Sequence, residues 1–208
     1  MLQQAPFLNT VRRFRHTPAA DANESRRNMR IADGLALAGL RDHVDEAADT
    51  DLPEDAGERT TNLFGPTPNQ VPGGVTIDTV RLQAMLRDAD PAEGRPRPLL
   101  LITINPPPDF TLPNAVWLPS DFASGDLDEA SRQRLQDRLE QLTQGDRIRP
   151  LVTVAWNAES WSSRNLALRL AALGYTNVYW YRGGLEAWDV AGLPKEPFGS
   201  PTPSVPGK

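Results

Sequence analysis

The sequence has no cysteine at all. That single absence removes disulfides, thiolate metal sites and any thiol nucleophile supplied by this chain. Histidine is almost as scarce: the two present, His16 and His43, both lie in the N-terminal third, too few and too far from the rest for a histidine-based zinc site, so neither metal nor cofactor is expected. Excess positive charge is missing too. The formal net charge is −5, which argues against a nucleic-acid-binding face, because such faces need clustered Lys and Arg to displace counterions. No run of about 18 apolar residues is present, so no membrane span is expected. The N-terminus lacks the basic, apolar and small-residue regions of a signal peptide. These features read as a soluble, cytoplasmic chain, or a periplasmic one if a signal has been removed.

Proline, by contrast, is abundant. Twenty prolines in 208 residues is about twice the usual share of roughly 5%, and many fall in stretches that punctuate the chain. Residues 1–49 form an N-terminal extension. Its basic patch of Arg12, Arg13 and Arg15 is too short for a membrane-surface helix, whereas Met29, Ile31, Leu35, Leu37, Leu40 and Val44 fit a loose helical period weakened by Gly34 and Gly39. Residues 50–74, "TDLPEDAGERTTNLFGPTPNQVPGG", read as a linker or wrapping segment. Residues 195–208, rich in Pro, Gly and Ser, read as a disordered tail.

Between these stretches, residues 75–194 alternate regularly. "GVTIDTVRLQAMLRDAD" predicts a short strand and a helix capped by Asp78 or Thr79. "RPLLLITI" and "RPLVTVAW" are continuous apolar runs of strand length, as expected for parallel strands covered on both faces. "DLDEASRQRLQDRLEQLTQGD" predicts an amphipathic helix on Leu127, Leu135, Leu139 and Leu142, ending at Gly145. A helix over "SSRNLALRLAALGY", a strand at "NVYWY" and a helix over "GGLEAWDVAG" follow. The alternation predicts an α/β fold with a mainly parallel central sheet.

The stretch "PLVTVAWNAESWSSRNLALRLAALGYTNVYWYRGGLEAWDVAGLP" then carries a more specific signal. It resembles the rhodanese-like domain family: strand, active loop, helix, Gly-aromatic, Asn-Val-Tyr strand, Gly-Gly, Ala-Trp and a closing Ala-Gly-Leu-Pro, with Gly174, Tyr175, Asn177, Val178, Gly183, Gly184, Ala187, Trp188, Gly192 and Pro194 in register. The resemblance implies a three-layer fold with helices on both faces of the sheet. It also implies that the residue after the second buried strand would be the cysteine that carries sulfur as a persulfide within a cradle of backbone amides. Here that residue is Asn157, which has no thiolate, so the carrier of a sulfurtransferase is missing. Upstream, Thr103 and Asn105 replace an Asp and an Arg frequent in the family, and Phe110-Thr111 stands where a Gly-His pair is frequent.

The active-loop residues are thus Asn157, Ala158, Glu159, Ser160, Trp161, Ser162 and Ser163, with Arg164 as a candidate anion contact. Amides at a helix N-terminus favour an anion by about 0.3 to 1 kcal/mol. An inward Glu159 would oppose it by about 1 kcal/mol in water and about 4 at an effective dielectric of 20. The loop serines lack a histidine base within the domain, so capping of the helix by Ser162 or Ser163 is their expected role. Trp156 reads as core and Trp161 as an exposed contact residue; Glu186 and Asp189 read as a solvated face. The resulting expectation is a catalytically degenerate, cysteine-free module with a protein partner. The alternative is a sulfurtransferase-related or oxyanion-handling component that uses a partner's thiol.

Overall fold

A computed structural model describes residues 46–88, 99–104 and 109–198. The helix expected around Leu35 and Leu40, the Arg12–Arg15 patch, Asn105 and residues 199–208 lie outside them.

Five short strands make the central sheet: β1 (Val75–Ile77), β2 (Leu100–Ile104), β4 (Val116–Leu118), β5 (Leu151–Val154) and β6 (Val178–Tyr181). Their order is β1-β6-β5-β2-β4, and every pairing is parallel. All residues of β2 and β5 are buried, which is why these strands read as unbroken apolar runs rather than as alternation. Four helices are described: α1 (Thr79–Asp88), α2 (Glu129–Thr143), α3 (Trp161–Ala172) and α4 (Gly184–Val190). One face of the sheet buries Ile102 and Trp180 with Leu135 and Leu139 of α2 and Leu166 and Leu170 of α3. The other buries Val152, Val154 and Tyr181 with Leu82 of α1 and Leu185 and Trp188 of α4. The result is a three-layer α/β fold.

Local chemistry sets the helix ends. Asp78 Oδ1 accepts the Arg81 amide at 2.7 Å to start α1, and Asp128 Oδ1 accepts the Ser131 amide at 2.7 Å to start α2. Gln144 and Gly145, both left-handed, stop α2. Gly184 has φ +63°, and a Cβ there would lie 2.5 Å from the Ala155 carbonyl oxygen, so only glycine lets α4 begin against the end of β5.

Two segments depart from their compositional reading. The tail is not featureless at its start: β7 (Glu196–Pro197) pairs antiparallel with β3 (Phe110–Thr111), and Phe198 meets Trp117 edge-on at 6.0 Å. Glu196 Oε2 also accepts the Asn114 amide, so a few polar and aromatic contacts fix a stretch with little to bury. The second departure is larger. Residues 46–71 run as a belt along α3 and the loop before it, within a compact unit that begins at Glu46. Of the two readings of residues 50–74, linker or wrapping segment, these contacts fit the second.

Candidate functional site

The active loop lies where ligand sites of parallel sheets are generally built, beyond the C-terminal end of a central strand. β5 ends at Val154, and α3 begins at Trp161. Asn157 heads the turn between them and is 5% exposed. Its side chain is held at both ends: Oδ1 accepts the Glu159 amide at 3.1 Å, and Nδ2 donates to Glu186 Oε2 on α4 at 3.2 Å. The Asn157 carbonyl accepts the Ser160 amide at 3.0 Å. Such a side-chain-to-backbone turn suits Asn, whose carbonyl reaches its own backbone two residues on. The amide oxygen therefore occupies a neutral acceptor position at the head of the loop.

The belt covers this loop from outside. Phe64 and Ser160 form an antiparallel bridge, in which the Trp161 amide donates to the Leu63 carbonyl at 3.0 Å and the Gly65 amide donates to the Glu159 carbonyl at 2.9 Å. Thr67 Oγ1 donates to the Ala158 carbonyl at 2.7 Å, and Trp161 Nε1 to the Pro66 carbonyl at 2.9 Å. Proline-rich backbone makes few hydrogen bonds of its own, so its buried carbonyls need donors from elsewhere.

Three buried arginines supply them. Arg164 is 0% exposed and donates to four carbonyls: Nε to Gln70, Nη1 to Gly57, and Nη2 to Glu54 and Ala56. Burial lowers its pKa to about 10, so it remains charged at neutral pH. Arg182, at the end of β6, donates to the carbonyls of Glu46, Ala48 and Thr67. Arg169 pairs with Glu58 at 2.5 Å and also donates to the Phe122 and Gly125 carbonyls. The rigid guanidinium fork, with five N–H donors, suits it to gather several carbonyls at once. Asn165 adds both halves of a backbone mimic, accepting the Arg59 amide and donating to the Arg59 carbonyl.

Several expected roles change accordingly. Arg164, the candidate anion contact, faces the belt, and its donors are engaged by main-chain oxygens. Trp161 is 6% exposed, with Arg59 and Arg164 each 5.3 Å from its ring centroid, so it is a covered residue and not an exposed one. Ser162 and Ser163 do not cap α3, which starts at Trp161, one residue before "SSRN". Ser160 holds the cap position without a side-chain cap bond, and Ser163 Oγ instead accepts Trp180 Nε1 at 3.0 Å. Trp156 is half-buried against the second core cluster. Glu186 is tied to Asn157 and Asp189 to Lys195, so neither belongs to a purely solvated face. Thr103, in place of the frequent Asp, meets Thr111 through their hydroxyls at 3.0 Å.

Sequence reasoning placed Glu186 on a solvated face and missed Arg169, Arg182 and Glu46. Glu46 receives the Thr79 amide and hydroxyl, and Thr79 Oγ1 in turn lies 2.6 Å from the Tyr181 hydroxyl. Burial, helped by the Glu46 charge, pushes the Tyr181 phenol well above its ordinary pKa, so it stays neutral. One signal was available for the arginines. Arg164 and Arg169 are the only charged residues in α3, and a helix so poor in charge is covered on more than one side.

Among the described residues, no group of three or more His, Cys, Asp or Glu is placed to hold a metal, and no helix is long and apolar enough to cross a membrane. A cleft of about 480 Å³ lies between the belt at Glu58 and Thr60 and the helices at Arg132, Leu135 and Arg169. Asn157 does not line it.

Comparison with solved structures finds matches at low identity and with TM-scores below 0.5. A full-length protein from Lactobacillus plantarum is 20% identical, with a TM-score of 0.43, over 59% of this chain and 88% of its own. The rhodanese-like domain of an Anabaena protein is 19% identical, with a TM-score of 0.42, over 64% and 85%. The polysulfide-sulfur transferase homodimer from Wolinella succinogenes is 15% identical, with a TM-score of 0.41, over 60% and 79%. No curated protein matches the sequence. The family model described as "Rhodanese-like domain" matches residues 81–191, more than half of the chain and all of β2, the active loop and α4. The chain belongs to the rhodanese-like domain family, with asparagine at the head of the turn between β5 and α3.

Proposed function

We propose that this rhodanese-like domain is catalytically degenerate and works as a protein-binding or regulatory module. The observation that carries the reading is the state of Asn157. The carrier position holds a side chain with no nucleophile, bonded to the Glu159 amide on one side and to Glu186 on the other. The Ser160 and Trp161 amides are likewise engaged, by the Asn157 and Leu63 carbonyls. A sulfur delivered on a partner's thiol would have to compete with all of these bonds, which weighs against the enzyme-component alternative. Binding is the capacity left to the family's shape, although fold alone never fixes function.

The test is direct. The purified chain, given thiosulfate and cyanide with no thiol protein added, is expected to form thiocyanate at the buffer rate. Turnover above that background that tracks the protein through purification would overturn the reading.

A further inference from the structure

The belt is not held equally along its length. Its N-terminal part is fixed by Arg164 on Glu54, Ala56 and Gly57, by Arg169 on Glu58 and by Asn165 on Arg59. Its C-terminal part is fixed by Thr67 on Ala158, by Arg182 on Thr67, by Arg164 on Gln70 and by burial of Val71. Between these anchors, none of residues 61–66 is fully buried, and only Leu63 and Gly65 are partly so. Thr61, Asn62 and Pro66 are exposed, and Phe64 is 52% exposed. Three bonds run from this crest to the loop: the Trp161 amide to the Leu63 carbonyl, the Gly65 amide to the Glu159 carbonyl, and Trp161 Nε1 to the Pro66 carbonyl. Left-handed backbone at Asn62 (φ +49°) and at Gly65 (φ +136°) marks its two bends. A segment with firm ends and few buried apolar groups between them is the kind that opens locally before a domain unfolds.

Lifting the crest uncovers a specific edge. The Trp161 amide, at the first position of α3, has no acceptor within its helix, and it would lie beside the Glu159 carbonyl and the Trp161 indole. A free N–H and C=O in this arrangement accept an extended peptide by strand addition. The crest itself shows the chemistry that fits: a carbonyl on one residue and an amide two residues on, in extended backbone antiparallel to the loop.

We propose that residues 61–66 are a flap over a peptide-accepting edge of the active loop, and that an extended segment of a partner protein binds there by replacing them. This rests on the binding-module reading and names its site and the form of its partner.

The probe is a labelled peptide of residues 61–67, TNLFGPT, titrated by fluorescence anisotropy into the full chain and into its Gly65→Pro variant. Proline removes the amide that donates to Glu159 and cannot adopt the positive φ, so the flap is released while both anchors remain. The variant is expected to bind the peptide at least about tenfold more tightly than the wild type, whose resident flap leaves about a tenth or less of the molecules open. A scrambled peptide should bind neither. Equal affinity for the two proteins, or no binding to a variant that still unfolds cooperatively, would overturn the proposal.

Hydrogen exchange of the wild type gives a check that needs no variant. The amides of Gly65 and Trp161 should exchange at a common rate at least about tenfold above that of Leu166 within α3. Exchange of both only with global unfolding would make the crest a permanent part of the fold and end the proposal. Either failure would leave the sulfur-transfer test untouched, so the two readings fall separately.

Discussion

Arg164→Ala should lower the stability of the domain by about 4 kcal/mol, at the upper end of what single substitutions do. The guanidinium is fully buried and serves four carbonyls on the belt, at Glu54, Ala56, Gly57 and Gln70. Alanine removes every donor, and each acceptor left buried without a partner costs about 1 to 3 kcal/mol. Some of the four will recover water, since the residues that carry them are largely exposed, which keeps the total below the simple sum. The emptied volume adds a cavity beside Trp161. Urea titration followed by far-ultraviolet circular dichroism measures the effect as a shift of midpoint at unchanged slope. Arg164→Lys keeps the charge but not the fork, and it should restore less than half of the loss. A loss below about 1 kcal/mol for Arg164→Ala would mean that the belt contributes little to the fold, against the usual cost of stranding buried acceptors.

That same residue shows where the sequence was readable and where it was not. The sheet was legible because β2 and β5 are buried on both faces, so their apolar runs carry the assignment directly. One helix start was legible because a side chain acts on its own backbone, at Asp78, whereas the like role of Asp128 was not read. The belt was harder. Composition reports how much apolar surface a segment can bury, and by that measure residues 50–74 look unable to fold. They are held instead by donors reaching their carbonyls from residues roughly a hundred positions later, as in the Arg164–Ala56 bond. Main-chain acceptors are identical in every residue type, so no pattern of side chains displays them. Trp161 was misplaced for the same reason: its polar neighbours suggested an exposed turn, and the surface that covers it is belt backbone. Glu186 failed differently. Its neighbours in α4 fit a solvent-facing helix, and only the close approach of Gly184 to the end of β5 brings that helix against the loop.

The last expectation concerns the head of the loop. An Asn157→Cys substitution introduces the chain's sole thiol, so any thiolate signal reports that position alone. From the sequence alone, Glu159 is the residue that would disfavour a thiolate there. The geometry favours Glu186, whose Oε2 lies 3.2 Å from Asn157 Nδ2. Like charges about 4 Å apart cost on the order of 1 kcal/mol in water and about 4 at an effective dielectric of 20. At a partly buried position the lower part of that range already raises a thiol pKa by about one unit above its usual 8.5 or so. Glu186→Gln in the Asn157→Cys background should therefore lower the thiol pKa by about one unit, and Glu159→Ala should lower it by less. The gain in reactivity is smaller than the gain in thiolate, because nucleophilicity falls with pKa: a tenfold rise in thiolate near neutral pH gives only about a threefold faster alkylation. Ultraviolet thiolate absorbance against pH gives the pKa, and iodoacetamide alkylation gives the rate. If Glu159→Ala moves the pKa as far as Glu186→Gln, the carboxylate that guards the position is not the one on α4, and the Asn157–Glu186 bond matters only for holding the loop's shape.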